Sequence, residues 1–156
     1  MLTFDRGNFR FNYRAVGVIF HNDRVLLHKS ARDSFWALPG GRVELMESAG
    51  DTVKREMREE LGIEVAIARL LWVAENFFDY GGKSHHELGL YFLLSLKEPS
   101  MLHEQTGAFP GIEADRDLIF QWYDIEAIDA IALYPRFLKT ALKSPPQLTE
   151  HLVHVD

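Results

Sequence analysis

The sequence predicts a mixed α/β domain, a β-sheet with helices packed on both faces, and three observations carry that prediction. From Ser48 to Leu61 there is no proline, and Ala49, Val53, Met57 and Leu61 recur at four-residue spacing, one apolar stripe of an amphipathic helix. Runs rich in β-branched and aromatic residues at 15–20, 25–27, 65–78, 87–96 and 118–123 have the composition of strands. A second helical pattern runs from Tyr134 to Leu142, with Phe137, Leu138 and Leu142 on its apolar side, until Pro145-Pro146 stops it. Several strands with two main helices bury their apolar sides best when the helices cover both faces of the sheet.

Length and composition bound the reading. A chain of 156 residues, 47% of them hydrophobic, supports one domain over 1–156 and is short for two. It has no cysteine, so neither disulfides nor a thiolate metal site is available. The first residues, MLTFDRGNFRFNY, lack an apolar run of signal length, and no stretch is long enough to span a membrane. A cytoplasmic protein without membrane contact is therefore the expectation. The formal net charge of −6 argues against broad nucleic-acid binding, which needs a basic footprint.

Taken in order, Ala15 to Phe20 is a near-continuous apolar run, as in a strand covered on both faces. His21-Asn22-Asp23-Arg24 supplies a turn, Val25-Leu26-Leu27 resumes the strand, and the alternating Phe9, Phe11 and Tyr13 suggest an earlier one. The helix from Ser48 follows, with Ser48 and Asp51 set as a capping box and Gly62 just past the end. Two strands come next, joined by Asp79 to Ser84, a turn by composition. Lys97 to Asp117, with Pro99, Gly107, Pro110 and Gly111, is a long irregular segment of the kind that is usually a functional loop or disordered. The strand 118–123 precedes a short helix beginning at Asp124, and the tail after Pro146 carries no clear pattern.

The chemistry concentrates in LPGGRVELMESAGDTVKREMREELGI, Leu38 to Ile63. Glu56, Glu59 and Glu60 stand at i, i+3 and i+4, so their carboxylates share a side of the helix and repel by about 0.2–0.5 kcal/mol per pair. Acids in the last turn also oppose the helix dipole. Such a cluster suits a cation, and an all-oxygen ligand set suits Mg²⁺ or Mn²⁺ better than zinc. A solvated acidic face is the plainer alternative. Leu38-Pro39-Gly40-Gly41 tips the balance, because glycines let backbone and its carbonyls approach whatever the helix binds.

Read by spacing, Gly41, five residues, Glu47, seven residues, then Arg55-Glu56-Met57-Arg58-Glu59-Glu60-Leu61-Gly62-Ile63 resembles the Nudix box at every defined position. The resemblance implies the Nudix α/β/α sandwich, with a mixed sheet and a loop–helix–loop catalytic motif over 41–63. It implies a MutT-like pyrophosphohydrolase using Mg²⁺ or Mn²⁺, with Glu56 and Glu60 as principal ligands, Glu59 as third ligand or water activator, and the Gly40 carbonyl as a further ligand. Arg55 would orient the carboxylates, paired with Glu47. Water would attack phosphorus in a nucleoside diphosphate linked to another group, such as a nucleoside triphosphate or a nucleotide sugar. In many relatives an acid on a loop after the sheet supplies the base or another ligand, which points to Glu104 and Glu113 without choosing between them.

Around this centre, Arg32, Tyr80 and His86 are candidate substrate-binding residues, each with a plainer reading. Arg32, like Lys29, could reach phosphates or serve solubility, and Tyr80 could serve turn packing. Of His85, His86 and Glu87, any could act as general base or phosphate ligand, or be a polar strand-edge residue; zinc is disfavoured because adjacent strand residues face opposite ways. Trp36 is expected to pack under the glycine loop. Tyr80 sits near the offset of a tyrosine that marks some dinucleoside polyphosphate hydrolases, so that substrate is the alternative. A non-catalytic nucleotide-binding module and an isomerase of the same fold are rivals, but both would be expected to depart from the box carboxylates. Dimers are frequent in that family, so a homodimer is compatible.

Overall fold

The central helix forms where its caps and stripe place it. In the computed structural model, which describes residues 1–98 and 100–156, helix α1 spans Ala49–Leu61. The Ser48 hydroxyl accepts from Asp51 N at 3.1 Å and donates to the Asp51 carboxylate at 2.8 Å, so the box closes locally. Gly62 ends the helix at φ 66°, returning its N–H to Arg58 and Met57 carbonyls.

The strands before α1 are β1 (Thr3–Arg6), β2 (Phe9–Val18), β3 (Phe20–His21), β4 (Arg24–Ser30) and β5 (Gly40–Arg42). Those after it are β6 (Val65–Tyr80), β7 (Lys83–Leu96), β8 (Phe109–Pro110), β9 (Leu118–Asp124) and β10 (Glu150–Val155). One mixed sheet runs β1-β2-β7-β6-β10, with β5 also paired to β2; β2·β7 and β6·β10 are parallel and the other pairs antiparallel. A second, antiparallel sheet runs β3-β4-β9-β8.

Alternation along β2 explains why its apolar run is continuous. Ala15 and Ile19 join one core with Val53 and Met57 of α1, while Val16 and Val18 join another with Val25, Leu27, Leu133 and Leu138. Both faces are therefore buried. At Gly17, a Cβ would stand 2.9 Å from Met57 Cε, so the helix lies almost on the strand there. Fully buried Met57 and Val53 each contribute about 1.5–3 kcal/mol of transfer free energy to that contact.

Several elements differ from the sequence reading. Phe9, Phe11 and Tyr13 extend β2 rather than forming a separate strand, and β1 precedes them. The 79–84 turn contracts to Gly81-Gly82, both at positive φ, and Tyr80 pairs with Lys83 across it. The segment 97–117 holds a 3₁₀ helix (Met101–Glu104) and β8, so it is partly ordered into elements; Pro99 lies outside the described residues. The helix expected over 134–142 shrinks to α2, Leu138–Ala141, and a 3₁₀ helix over Ile125–Ala130 shares its core. The tail yields β10, which the weak His-Leu-Val-His pattern does not announce. No helix among the described residues is long and apolar enough to cross a membrane.

Candidate active site

Helix α1 turns Glu56 and Glu60, one turn apart, into the protein, where they are 3% and 1% exposed. Gly41 of β5 lies against Glu56: a Cβ there would stand 2.3 Å from its carboxyl carbon and Oε1. The glycine makes room for the carboxylate. The Oε2 atoms of both glutamates are buried without a hydrogen-bond partner. Burial, and then the neighbouring Glu56, pushes the Glu60 carboxyl up to about 8. Two adjacent buried acids with free lone pairs are costly unless a cation sits between them. This donor set fits a hard dication.

No three acidic or histidine side chains among the described residues converge into a metal cage. A Mg²⁺-like ion is satisfied with less, since it takes one or two carboxylates and completes its shell with water and substrate phosphate. Gly40 lines the same cavity, which leaves its carbonyl as a candidate oxygen beside the pair. Glu59 does not join them. Its side chain is 44% exposed and its Oε2 sits 3.2 Å from Arg55 Nη1. At 3.6 residues per turn, a step from i+3 to i+4 rotates about 100°, enough to separate an inward acid from an outward one.

Arg55 ties this end together. Its Nε and Nη2 donate to the two Glu47 oxygens at 2.9 and 3.0 Å, and its Nη1 donates to Glu56 Oε1 at 2.9 Å. That fork holds the Glu47 carboxyl down at about 2, with a Thr52 hydroxyl bond adding to it. Glu47 thus anchors an arginine that points Glu56 at the site.

A second arginine, Arg116, comes from the loop before β9. Its Nη1 is 3.3 Å from Glu60 Oε1 and 3.8 Å from Glu56 Oε2, and its Nε is 3.6 Å from Glu113 Oε2. The loop is docked on the helix end through Ile112 N–H to Glu60 O, 2.8 Å. Of the two loop acids read from the sequence, Glu113 therefore stands beside the carboxylate pair. Glu104 ends the 3₁₀ helix Met101–Glu104, is exposed, and neighbours the His103 ring that stacks on His21. Nothing in the sequence singles out Arg116, since one basic residue in a loop carries no spacing signal.

The carboxylates open on a cavity of about 900 Å³ that reaches from β4 and β5 across the floor of the large sheet. Arg14 lies in it with Nη2 donating to Leu38 O at 3.3 Å and a buried Nε that has no partner. His28, also in the cavity, is held neutral: burial, then Arg14 and Arg116, push it down to about 3. The sequence picks out neither, because both sit inside ordinary strand patterns.

The candidate substrate-binding residues fare differently. Tyr80 lines the cavity, 48% exposed, its hydroxyl donating to Asp33 at 3.0 Å and its ring edge-on to Phe35. Arg32 is exposed and is not among the lining residues, whereas Lys29 is, with its ammonium 5.1 Å from the Trp36 ring. Trp36 itself is 9% exposed and packs in the core with Leu38. His86 points away from the cavity and packs on Phe11 and Phe77, so its candidacy passes to its neighbours. Strand alternation is the reason: His85 and Glu87, either side of it, face inward. His85 accepts from Asn12 Nδ2 at 3.1 Å and donates from Nε2 to Tyr80 O at 3.1 Å, both nitrogens committed.

A glycine-backed helix carrying paired inward carboxylates, lining a large cavity in a mixed α/β domain, defines a class of protein as well as a site. The Nudix domain model matches residues 12–142, and the chain belongs to that family. An uncharacterised Nudix hydrolase of Bacillus subtilis is 29% identical over 76% of this chain and 69% of its own length. An RNA pyrophosphohydrolase of Halorhodospira halophila is 28% identical over 80% of this chain and 74% of its own. A diphosphoinositol polyphosphate phosphohydrolase of Rattus norvegicus is 40% identical, but this chain spans only 42% of that protein's length. Among solved structures, a MutT Nudix hydrolase from Burkholderia pseudomallei superposes with TM-score 0.57 at 29% identity, over 74% of this chain and 84% of that one. An ADP-ribose pyrophosphatase from Streptococcus suis shares the fold, with TM-score 0.59 at 18% identity over 92% and 98% of the two chains.

Proposed function

We propose that the chain, as a single Nudix domain over 1–156, hydrolyses a phosphoanhydride bond in a nucleoside diphosphate linked to another moiety. The observation that carries this reading is the pair Glu56 and Glu60, buried against Gly41 with both Oε2 atoms unpartnered at the end of the cavity. Glu56, Glu60 and the Gly40 carbonyl would hold Mg²⁺ or Mn²⁺. When bound, such an ion screens the phosphate charges and polarises the phosphorus.

The chain's own groups do the rest. Arg55 keeps Glu56 aimed inward through the Glu47 fork. Arg14, with a buried donor free, meets phosphate oxygens beside the carboxylate pair. Water's oxygen forms a bond to phosphorus as the anhydride P–O bond breaks, and the leaving phosphate keeps the electron pair. The water's proton passes to an acid flanking the pair, Glu59 on the helix or Glu113 on the loop. The names of the relatives, which include an RNA and a diphosphoinositol polyphosphate hydrolase, are compatible with anhydride chemistry on varied substrates. Dinucleoside polyphosphates remain the second substrate reading, favoured by Tyr80 at the cavity wall.

The test is phosphate release across nucleoside triphosphates, nucleotide sugars, ADP-ribose and dinucleoside polyphosphates, with Mg²⁺ and then Mn²⁺. Turnover of one group that collapses in Glu60→Gln supports the reading. A folded, metal-binding protein that turns over none of them overturns it in favour of a binding module.

A further inference from the structure

The cavity has a polar floor that the proposed chemistry does not use. Glu87 on β7 pairs directly with Asn76 on β6 and with Asn12 on β2, so the three stand in one row across the sheet. All three are at least nine-tenths buried, at 8%, 3% and 3% exposure. Asn12 is engaged at both ends of its amide, accepting from the Thr3 hydroxyl at 2.8 Å and donating to His85 at 3.1 Å. Glu87 and Asn76 are not. The Glu87 side chain makes no hydrogen bond or ion pair among the described residues, and Asn76 Oδ1 is buried without a partner. Both line the cavity. Asn76 Oδ1 buried in this way costs free energy unless something completes its hydrogen bond, and the Glu87 carboxylate lines the cavity with no protein partner.

The charge layout says which part of a ligand comes here. Arg14 is two residues beyond Asn12 on β2 and lies, with Arg116, toward the carboxylate end. Phosphates belong at that end, and Glu87 would repel them from the floor. What Glu87 accepts is a neutral group rich in donors. A carboxylate offers two parallel acceptors and matches two adjacent N–H groups. Among the common bases only guanine presents that pair, N1–H beside the N2 amino group. Adenine and cytosine place a ring acceptor beside the amino group, and uracil or thymine flanks its single N–H with carbonyls, which a carboxylate repels. The unpartnered Asn76 Oδ1, an acceptor, suits the second hydrogen of guanine's N2 amino group.

We propose that Glu87, assisted by Asn76, selects a guanine nucleotide by holding the base edge on the cavity floor. This rests on the nucleotide-hydrolase reading above and narrows its substrate class. Two readouts separate the two claims. One is binding of GMP, AMP, CMP and UMP to the metal-free protein by calorimetry; the other is kcat/KM for the four nucleoside triphosphates with Mg²⁺. The expected result is a GMP preference of about tenfold or more, matched in kcat/KM and reduced to about threefold or less in Glu87→Gln. Equal binding of the four monophosphates by the unmodified protein overturns the inference, even when triphosphates are hydrolysed, and needs no variant. A guanine preference that survives Glu87→Gln overturns the role of Glu87. A GMP preference with no turnover across that panel of triphosphates, nucleotide sugars, ADP-ribose and dinucleoside polyphosphates supports the floor and overturns the hydrolase reading. Binding of none of the four overturns the inference.

Discussion

Arg116 Nη1 lies 3.3 Å from Glu60 Oε1, so a side-chain cation rests against one of the two carboxylates that a divalent ion would use. The same guanidinium nitrogen is 3.8 Å from Glu56 Oε2, and its Nε is 3.6 Å from Glu113, three acids around one arginine. Arg116 therefore has to give way, at least in part, for a metal to settle between Glu56 and Glu60. At pH 9, where Glu60 is ionised, Arg116→Gln is expected to bind Mn²⁺ about tenfold more tightly than the unmodified chain, because a competing charge is gone. Mn²⁺ titration followed by electron paramagnetic resonance measures this directly, and unchanged or weaker binding rejects the competition.

Metal binding and protonation compete at Glu60. Its carboxyl is raised to about 8, first by burial and then by Glu56, so near pH 7 it carries a proton in the folded protein. Binding of Mg²⁺ at pH 7 is expected to release close to one proton, and at pH 9 almost none. Calorimetry in two buffers of different ionisation enthalpy reads the number. The linkage has a stability counterpart. An acid with a raised folded pKa stabilises the fold below its unfolded value, near 4.5, and that stabilisation is lost as pH rises toward 8. The metal-free protein should melt at falling temperature across that window, and Glu60→Gln should flatten the slope.

Gly40 and Gly41 are adjacent but guard different things. A Cβ at Gly41 collides with the Glu56 carboxyl at 2.3 Å, whereas a Cβ at Gly40 collides with Ala15 O at 2.2 Å, which is backbone. Gly41→Ala is expected to fold, with Glu56 displaced and metal affinity down by about tenfold or more. Gly40→Ala should instead lose about 2–4 kcal/mol, since β5 cannot pair with β2 without moving. Urea melts beside Mn²⁺ titrations of the two variants distinguish the outcomes.

The Glu47 fork makes a prediction of its own. Glu47→Gln removes the charge from a two-bond contact with Arg55 that is about three-quarters shielded from solvent. A loss of about 1–2 kcal/mol at pH 7 is expected. Because Arg55 holds the Glu47 carboxyl at about 2, this contribution is present above the ordinary carboxylate pKa and disappears as pH falls through about 2. Wild type and Glu47→Gln should therefore converge in stability in strong acid. A kcat decrease with little change in KM would show that Arg55 orients the site rather than binding ground-state substrate.

Much of the central motif is legible in the sequence, because its signals are local. Ser48, Asp51 and Gly62 mark the helix ends with bonds made within a few residues, and they appear where the spacing puts them. The same holds for the turn at Asn22-Asp23, whose two positive-φ residues suit a tight hairpin. The second helix is shorter than its pattern suggests. Its apolar positions Leu138 and Leu142 are buried, but a short stretch packed among loops needs only one turn to bury them.

By itself, then, the sequence determined the helix, its caps, most strands and the presence of three acids beside a glycine pair. Tertiary structure alone decided which acids turn inward. Glu56 and Glu60 are buried by β5 and the 111–117 loop, while Glu59 is left to Arg55, because burial depends on what packs against a helix and not on its own periodicity. Long-range register likewise decided that Glu87 faces the cavity between Asn12 and Asn76 while His86 faces out. It also made a strand of 150–155, whose partner β6 lies 78 residues earlier at Glu150 opposite Trp72. Such pairings are fixed by hydrogen bonds to a distant partner, and a partner's position is not written in the residues it pairs with.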